Sequence, residues 1–427
     1  MFVSPYRTRR PPEERPWAAL LALLAVACGG SEPAEDSAAM PRAGTWRATL
    51  GSPGGPLTFG LELVEADGAL RAVLINGEER RPAGLVREHA EGIAFDVPPY
   101  QSQIVAKVNE GGAALSGRWE RDRGEGMRAV LPFAAVEGLH VPDVQPLTDE
   151  RIAAVSGRWR VRFAADDDDA VGIFEVDATG RARGTFLTTL GDYRYLAGWF
   201  DGSVLRLACF DGAHAFLFEA AIQEDGALKG DFWSRDSYHD TWTATKDADA
   251  ELPDDFALTS WVGGVPLSEL QFEGLDGELR ALDDPEFAAP ARLLVVFGTW
   301  CPNCNDLTEL LVELDERYDD LAILGLAFEM GDGLEEQRVA VRDYLAFHGA
   351  TYPVLLCGTS DKAAASATLP LLDRVRAYPT TVFMDGKGGV TAVHTGFSGP
   401  ATGVRHTRLR ERFEDEIEAL LVQPEGG

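Results

Sequence analysis

The sequence predicts a multidomain chain: a C-terminal α/β domain preceded by an all-β region made of two repeats. Three observations lead there. At 427 residues the chain is too long for one hydrophobic core. Gly44-Thr45-Trp46-Arg47 recurs as Gly157-Arg158-Trp159-Arg160, and Leu115-Ser116-Gly117-Arg118-Trp119 recurs at the same spacing as Leu228-Lys229-Gly230-Asp231-Phe232. Trp300-Cys301-Pro302-Asn303-Cys304 stands between a buried-strand pattern and a helical one.

That last stretch carries the chemistry. The apolar run 293–297 reads as a buried strand, and Gly298 and Thr299 make a turn. Residues 305–318 then place Leu307, Leu310, Leu311, Leu314 and Tyr318 at helical spacing, with Pro302 suited to the first turn. Unpaired N–H groups and the positive end of the helix dipole therefore face the Cys301 sulfur. Such a setting favours thiolate, the nucleophilic form. Cys304, one turn on, is placed to attack a mixed disulfide on Cys301. A zinc half-site is the competing reading, but no second C-x-x-C or H-x₃-H follows at zinc spacing.

Tyr378-Pro379-Thr380-Thr381-Val382-Phe383 reads as a proline opening a strand. The W-C-x-x-C junction followed by Y-P-T into a strand resembles the thioredoxin superfamily, and within it the membrane-tethered TlpA/ResA-like thiol–disulfide oxidoreductases. The likeness covers residues 265–422. It implies a thioredoxin-like α/β fold, catalytic Cys301 and Cys304 forming a redox disulfide, Trp300 beside them, and a cis Pro379 packed against the pair. It implies no cofactor and no metal. The expected hairpin is 272–280, with Asp276-Gly277 at its turn. Residues 321–328 read as a second buried parallel strand and 334–348 as a helix. Residues 354–356 match the strand that this branch inserts. A hairpin follows over 381–394, and a helix over 409–422 closes the domain.

Three positions depart from the family. Val295 stands where thioredoxins carry a buried acid, and Leu307 where ResA-like proteins carry a glutamate. No proline interrupts the active-site helix. Glu329, ending the second buried strand, is the candidate replacement for the missing proton-handling group, because strand C-termini face the site in open α/β sheets. An ordinary loop-entry acid is the alternative.

Arg7, Arg9, Arg10 and Arg15 precede the short apolar stretch 17–27, the form of a signal segment. Ala25-Val26-Ala27-Cys28 resembles the bacterial lipoprotein signal, which implies lipidation of Cys28, a lipid anchor in the membrane and a location in the bacterial cell envelope. Simple secretion with a free Cys28 is the alternative. The expected plan is a signal over 1–27, a tether over 28–43, β-repeats over 44–140 and 157–249, linkers over 141–156 and 250–264, the thioredoxin-like domain over 265–422 and a tail over 423–427. The redox domain is expected to fold alone.

A net charge of −30 argues against nucleic acid. Cys209 and Cys357 read as small buried hydrophobes, with a disulfide between them as the alternative. In the β-region, turns such as Asp67-Gly68, Asn76-Gly77 and Asp211-Gly212 separate short strands, the pattern of antiparallel meanders. The two copies make either two small β-domains or two halves of one barrel or sandwich; packed halves are expected, because closure would hide sheet edges. His89, His140, His214 and His239 read as surface or locally bonded, the acidic run 166–169 as a solvated loop, and the strand aromatics as core.

The leading functional expectation is reduction of disulfides in extracytoplasmic partner proteins, with a membrane electron donor re-reducing the pair. A peroxiredoxin-type peroxidase is the first alternative, although 298–301 lacks that family's proline–threonine frame. A Cu(I)-binding chaperone using both thiolates with Met330 or His394 is the second.

Overall fold

The computed structural model describes residues 40–109, 111–123, 126–138 and 146–422. The signal segment, Cys28, His140, most of the tether and the tail lie outside them.

The first β-sheet contains β1 (Gly44–Ser52), β2 (Gly55–Ala66), β3 (Ala69–Asn76), β4 (Glu79–Leu85), β5 (Arg87–His89), β6 (Gly92–Asp96), β7 (Ser102–Val108), β8 (Ala114–Asp122) and β9 (Arg128–Glu137). Their order is β4-β3-β2-β1-β9-β8-β7-β6-β5. Alternation along β1 buries Trp46, Ala48 and Leu50 on one face. Asp67 and Gly68 both take positive φ, the geometry of a tight turn between β2 and β3.

The second sheet contains β10 (Gly157–Phe163), β11 (Ala170–Val176), β12 (Arg181–Thr188), β13 (Gly191–Asp192), β14 (Leu196–Phe200), β15 (Val204–Phe210), β16 (Ala215–Ile222), β17 (Leu228–Ser234) and β18 (Tyr238–Lys246). Here β12 pairs with both β11 and β14, so the sheet closes into a barrel with β13 at its rim. Phe163, Phe174, Phe186 and Phe218 fill it. Each sheet has its own core, which corrects the expectation of two halves of one barrel. About eight strands suffice to enclose a side-chain-filled interior, and each stretch supplies nine. The cores still touch: Phe210, Ala215 and Leu217 pack into the first sheet's core. At matching places, Trp46 Nε1 donates to Arg42 O (3.2 Å) and Trp159 Nε1 to Val155 O (2.8 Å).

Both linkers are more ordered than expected. Residues 149–155 form helix α1 (Asp149–Val155), capped by the Thr148 hydroxyl. The acidic stretch before the redox domain is pinned by its apolar residues. Phe256 packs on Phe383 and Phe413 beneath Arg412, and Trp261 bridges to Leu372. The described residues consequently form one compact unit.

The C-terminal domain has β19 (Gln271–Gly274), β20 (Leu279–Ala281), β21 (Ala291–Phe297), α2 (Pro302–Arg317), β22 (Leu321–Glu329), α3 (Leu334–His348), β23 (Val354–Thr359), α4 (Lys362–Thr368), β24 (Thr380–Asp385), β25 (Val390–Thr395) and α5 (Val404–Val422). Sheet order is β20-β19-β23-β22-β21-β24-β25, with β21, β22 and β23 parallel. The sheet and its helices enclose a separate core. Helix α5 begins five residues before the expected 409. Helix α4 escaped the sequence reading because Lys362-Ala363-Ala364-Ala365-Ser366-Ala367-Thr368 has no apolar stripe; Asp361 caps it.

Cys209 and Cys357 are buried free thiols in different cores, so the alternative of a bridge between them is corrected.

Candidate active site

Strand β21 delivers the chain to Gly298, where a Cβ would lie 2.2 Å from Trp300 Nε1. Glycine thus lets Trp300 fold back, donate to Phe328 O (2.9 Å) and set its ring edge-on to Tyr378. Cys301 is the N-cap of α2, with Pro302 in the first turn. Its carbonyl accepts from Asn305 Nδ2 at 3.0 Å, while Tyr344 Oη donates to the Cys304 carbonyl at 3.0 Å. These two side chains, absent from the sequence-based set, lock the first turn. Buried polar residues on a helix are their only sequence signal.

The two sulfurs differ as helix geometry requires. The Cys301 thiol is held below its usual range, chiefly by a hydrogen bond from Cys304 and then by the N–H groups of Cys304 and Asn303. Burial pushes the Cys304 thiol well above its range, the Cys301 sulfur adds to that, and Glu329 contributes in the same direction. Both are buried, Cys301 to 7% exposure and Cys304 to 1%. Cys301 is therefore the more acidic thiol, and Cys304 is the more strongly protonated one held behind it.

Glu329 closes β22 and is itself buried. Its Oε1 accepts from Thr299 N (2.8 Å) and its Oε2 from Thr299 Oγ1 (2.6 Å). Burial pushes its carboxyl up to about 7, against the pull of those bonds. Val295 and Leu307 lie buried in the core, so the acid comes from the neighbouring parallel strand.

Tyr378-Pro379 is a cis bond, Pro379 is buried, and Cys301 Sγ lies 3.4 Å from Tyr378 O. His394 is placed elsewhere: it packs on Phe256 and Phe413, 3.5 Å from Asp255. Among the described residues there is no group of three or more His, Cys, Asp or Glu able to hold a metal.

The β-region reaches this site at several points. Arg121 of β8 donates to Trp300 O (3.2 Å), and Asp192 accepts from Gly399 N (2.6 Å). Asp168, in the acidic run expected to be merely solvated, pairs with Arg376, two residues before Tyr378. Arg194 meets Glu79, Asp211 and Asp306, so one buried cation joins both β-sheets to α2. Arg194→Met should take the shared cation away from buried Asp211 and Asp306 and half-buried Glu79 and cost about 3–5 kcal/mol, read as a lower denaturant midpoint for the full chain. Asp211, expected in a plain turn, also accepts from the His214 backbone N–H (2.6 Å). Scattered over the sequence, these residues have no shared motif.

Known proteins resemble only part of the chain. No protein-family model matches the chain. Over 134 residues it is 28% identical to the thioredoxin-like protein YneN of Bacillus subtilis, which covers 31% of this chain and 71% of that protein. About a third of the chain is thus similar to a thioredoxin-like protein. Among solved structures, a secreted Mycobacterium tuberculosis disulfide oxidoreductase matches at 16% identity over 35% of this chain and 94% of its own, with a TM-score of 0.26. A thiol:disulfide interchange protein of Chlorobium tepidum matches at 19% identity over 35% of this chain and 92% of its own, with a TM-score of 0.26.

Proposed function

We propose that this chain is an extracytoplasmic thiol–disulfide oxidoreductase of the TlpA-like type, reducing disulfides of partner proteins. The observation that carries the reading is the inequality of the two sulfurs: Cys301 at the helix N-cap with its pKa lowered, and the more deeply buried Cys304 within the first turn behind it with its pKa raised. The Cys301 thiolate attacks one sulfur of the partner's disulfide and releases the other as a thiolate. Cys304 then gives up its proton and attacks Cys301, which releases the partner's second thiol and leaves a Cys301–Cys304 disulfide. Two electrons and two protons, from a membrane electron donor, restore the dithiol. Glu329 takes the proton from Cys304, Pro379 lines the docking side, and Trp300 shields the pair. Likeness to a thioredoxin-like protein supports the chemistry. The lipobox-like Ala25-Val26-Ala27-Cys28 supports attachment to the envelope membrane through a lipid.

The reduction potential of the Cys301–Cys304 couple tests the direction. A reductase should lie below about −200 mV; a value near −120 mV, that of a strong oxidant, would reverse the assignment. For anchoring, Cys28→Ala should move the protein from the membrane to the soluble fraction. Unchanged membrane association would sink the lipid-anchor reading.

A further inference from the structure

We propose that Arg121, from the first β-sheet, is a positioning residue of the redox centre: a buried cation that the β-region lends to the Cys301 thiolate. This rests on the nucleophilic role given to Cys301 above.

Arg121 carries a charge that no carboxylate compensates directly among the described residues. Arg121 is 5% exposed, near the end of β8. Its Nη1 donates to Ala213 O (2.7 Å), its Nη2 to Trp300 O (3.2 Å), and its Nε is buried without a partner. The guanidinium lies over the Tyr100 ring, 5.3 Å from the centroid. Two carbonyls and a ring face satisfy donors but do not neutralise a charge. Among the described residues no carboxylate comes within the 4.0 Å ion-pair distance of it; Arg194, by contrast, meets three. A buried, unpaired cation is costly, and an anion arriving nearby offsets that cost. Asp211 is already engaged by Arg194 and His214. The carbonyl that Arg121 holds belongs to the peptide leading directly into Cys301, so the sulfur is the anion this part of the site offers it. Burial and the neighbouring Arg123 weaken the Arg121 charge, and Tyr100, Asp211 and Cys301 act against that weakening.

Other groups face the same sulfur. Cys304 and Asp306 come from α2, Tyr378 from the loop before β24, and Lys362 from α4, while Glu329 of β22 faces Cys304. Lys362 and Arg121 are the cations in this set, and Arg121 alone comes from the β-region. Arg121 also ties down the peptide before the nucleophile, so charge and loop position are delivered together. A thiolate exists only in the reduced pair. The cation therefore favours the dithiol over the disulfide and makes the couple more oxidising than the α/β domain would be without it.

The test is the pH profile of iodoacetamide alkylation at Cys301 in the reduced full chain, read by peptide mass. In Arg121→Gln the midpoint should rise by roughly one pH unit, making alkylation at pH 6 about tenfold slower. Arg121→Lys, which keeps the charge, should stay close to wild type. Should the Gln variant not fold, Arg121→Met keeps the apolar stem and carries the same expectation. A neutral, folded variant with the wild-type profile overturns the proposal, as does a Lys variant shifted as far as the neutral one. No partner protein enters this assay. A chain that reduces insulin normally yet shows no Arg121 effect refutes only this inference; a shifted profile in a chain that reduces no protein disulfide refutes only the functional reading.

Discussion

Cys304→Ser should turn the reduced chain into a trap. Cys301 attacks a partner's disulfide, and with no second thiol behind it the mixed disulfide persists. The adduct should run as a dithiothreitol-sensitive band on a non-reducing gel. Cys301→Ser should trap nothing and abolish turnover of insulin. The geometry behind this is asymmetric. Cys301 caps α2 and receives the N–H groups of Asn303 and Cys304, whereas Cys304 sits inside the first turn at 1% exposure. At mildly acidic pH iodoacetamide should label Cys301 and spare Cys304. Labelling in the opposite order would end the assigned roles.

Glu329→Gln should slow the second half of the reaction by about a hundredfold while leaving the first half nearly intact. Cys304 must lose a proton before it attacks, its thiol is held well above the ordinary range, and Glu329 is the carboxyl acting on it. With its pKa near 7, Glu329 accepts that proton better as pH rises through neutrality, so resolution in the wild type should accelerate over that range. The glutamine variant should lose that dependence. Lifetimes of the acid-quenched mixed disulfide, followed by mass, give the measurement; an unchanged pH profile would remove Glu329 from the mechanism.

The same carboxyl makes a linked prediction for stability. Its folded pKa of about 7 lies above the ordinary 4.5, so between these values the folded chain keeps a proton that the unfolded chain has released. This contribution is full below about 4.5 and is lost as pH rises through 7, on the order of 3 kcal/mol in all. Glu329→Gln should flatten that decline in a denaturant titration repeated across pH.

Much of the redox site was legible because its signals are local. A five-residue apolar run, a glycine turn and a prolyl first turn place two cysteines three residues apart at a helix start whatever surrounds them. Glu329 was reachable by one further rule, that acids at strand ends face the site, although its two Thr299 bonds were not. The β-region was legible only as strands and turns. Alternation tells which face of β1 is buried, but not whether two sets of strands share one barrel or make two sheets. That depends on which edges meet, and β12 settles it in the second sheet by pairing with both β11 and β14. Linkers misled for a related reason: Phe256 and Trp261 lie among acids, and a composition average hides two aromatic anchors.

By itself the sequence determined the two cysteines at a helix start and the turn that presents them, because each depends on backbone geometry over a few residues; Pro379 beside them was implied by the family resemblance. Only the tertiary structure decided that the β-region takes part in the site. Arg121, Arg194, Asp168 and Asp192 are ordinary surface-type residues in a chain of net charge −30. They act on Trp300, Asp306, Arg376 and Gly399 because folding brings them together, and it buries Arg121, Arg194 and Asp192 as it does so. Removal from water is what makes such charges strong, and no residue's sequence neighbours record it.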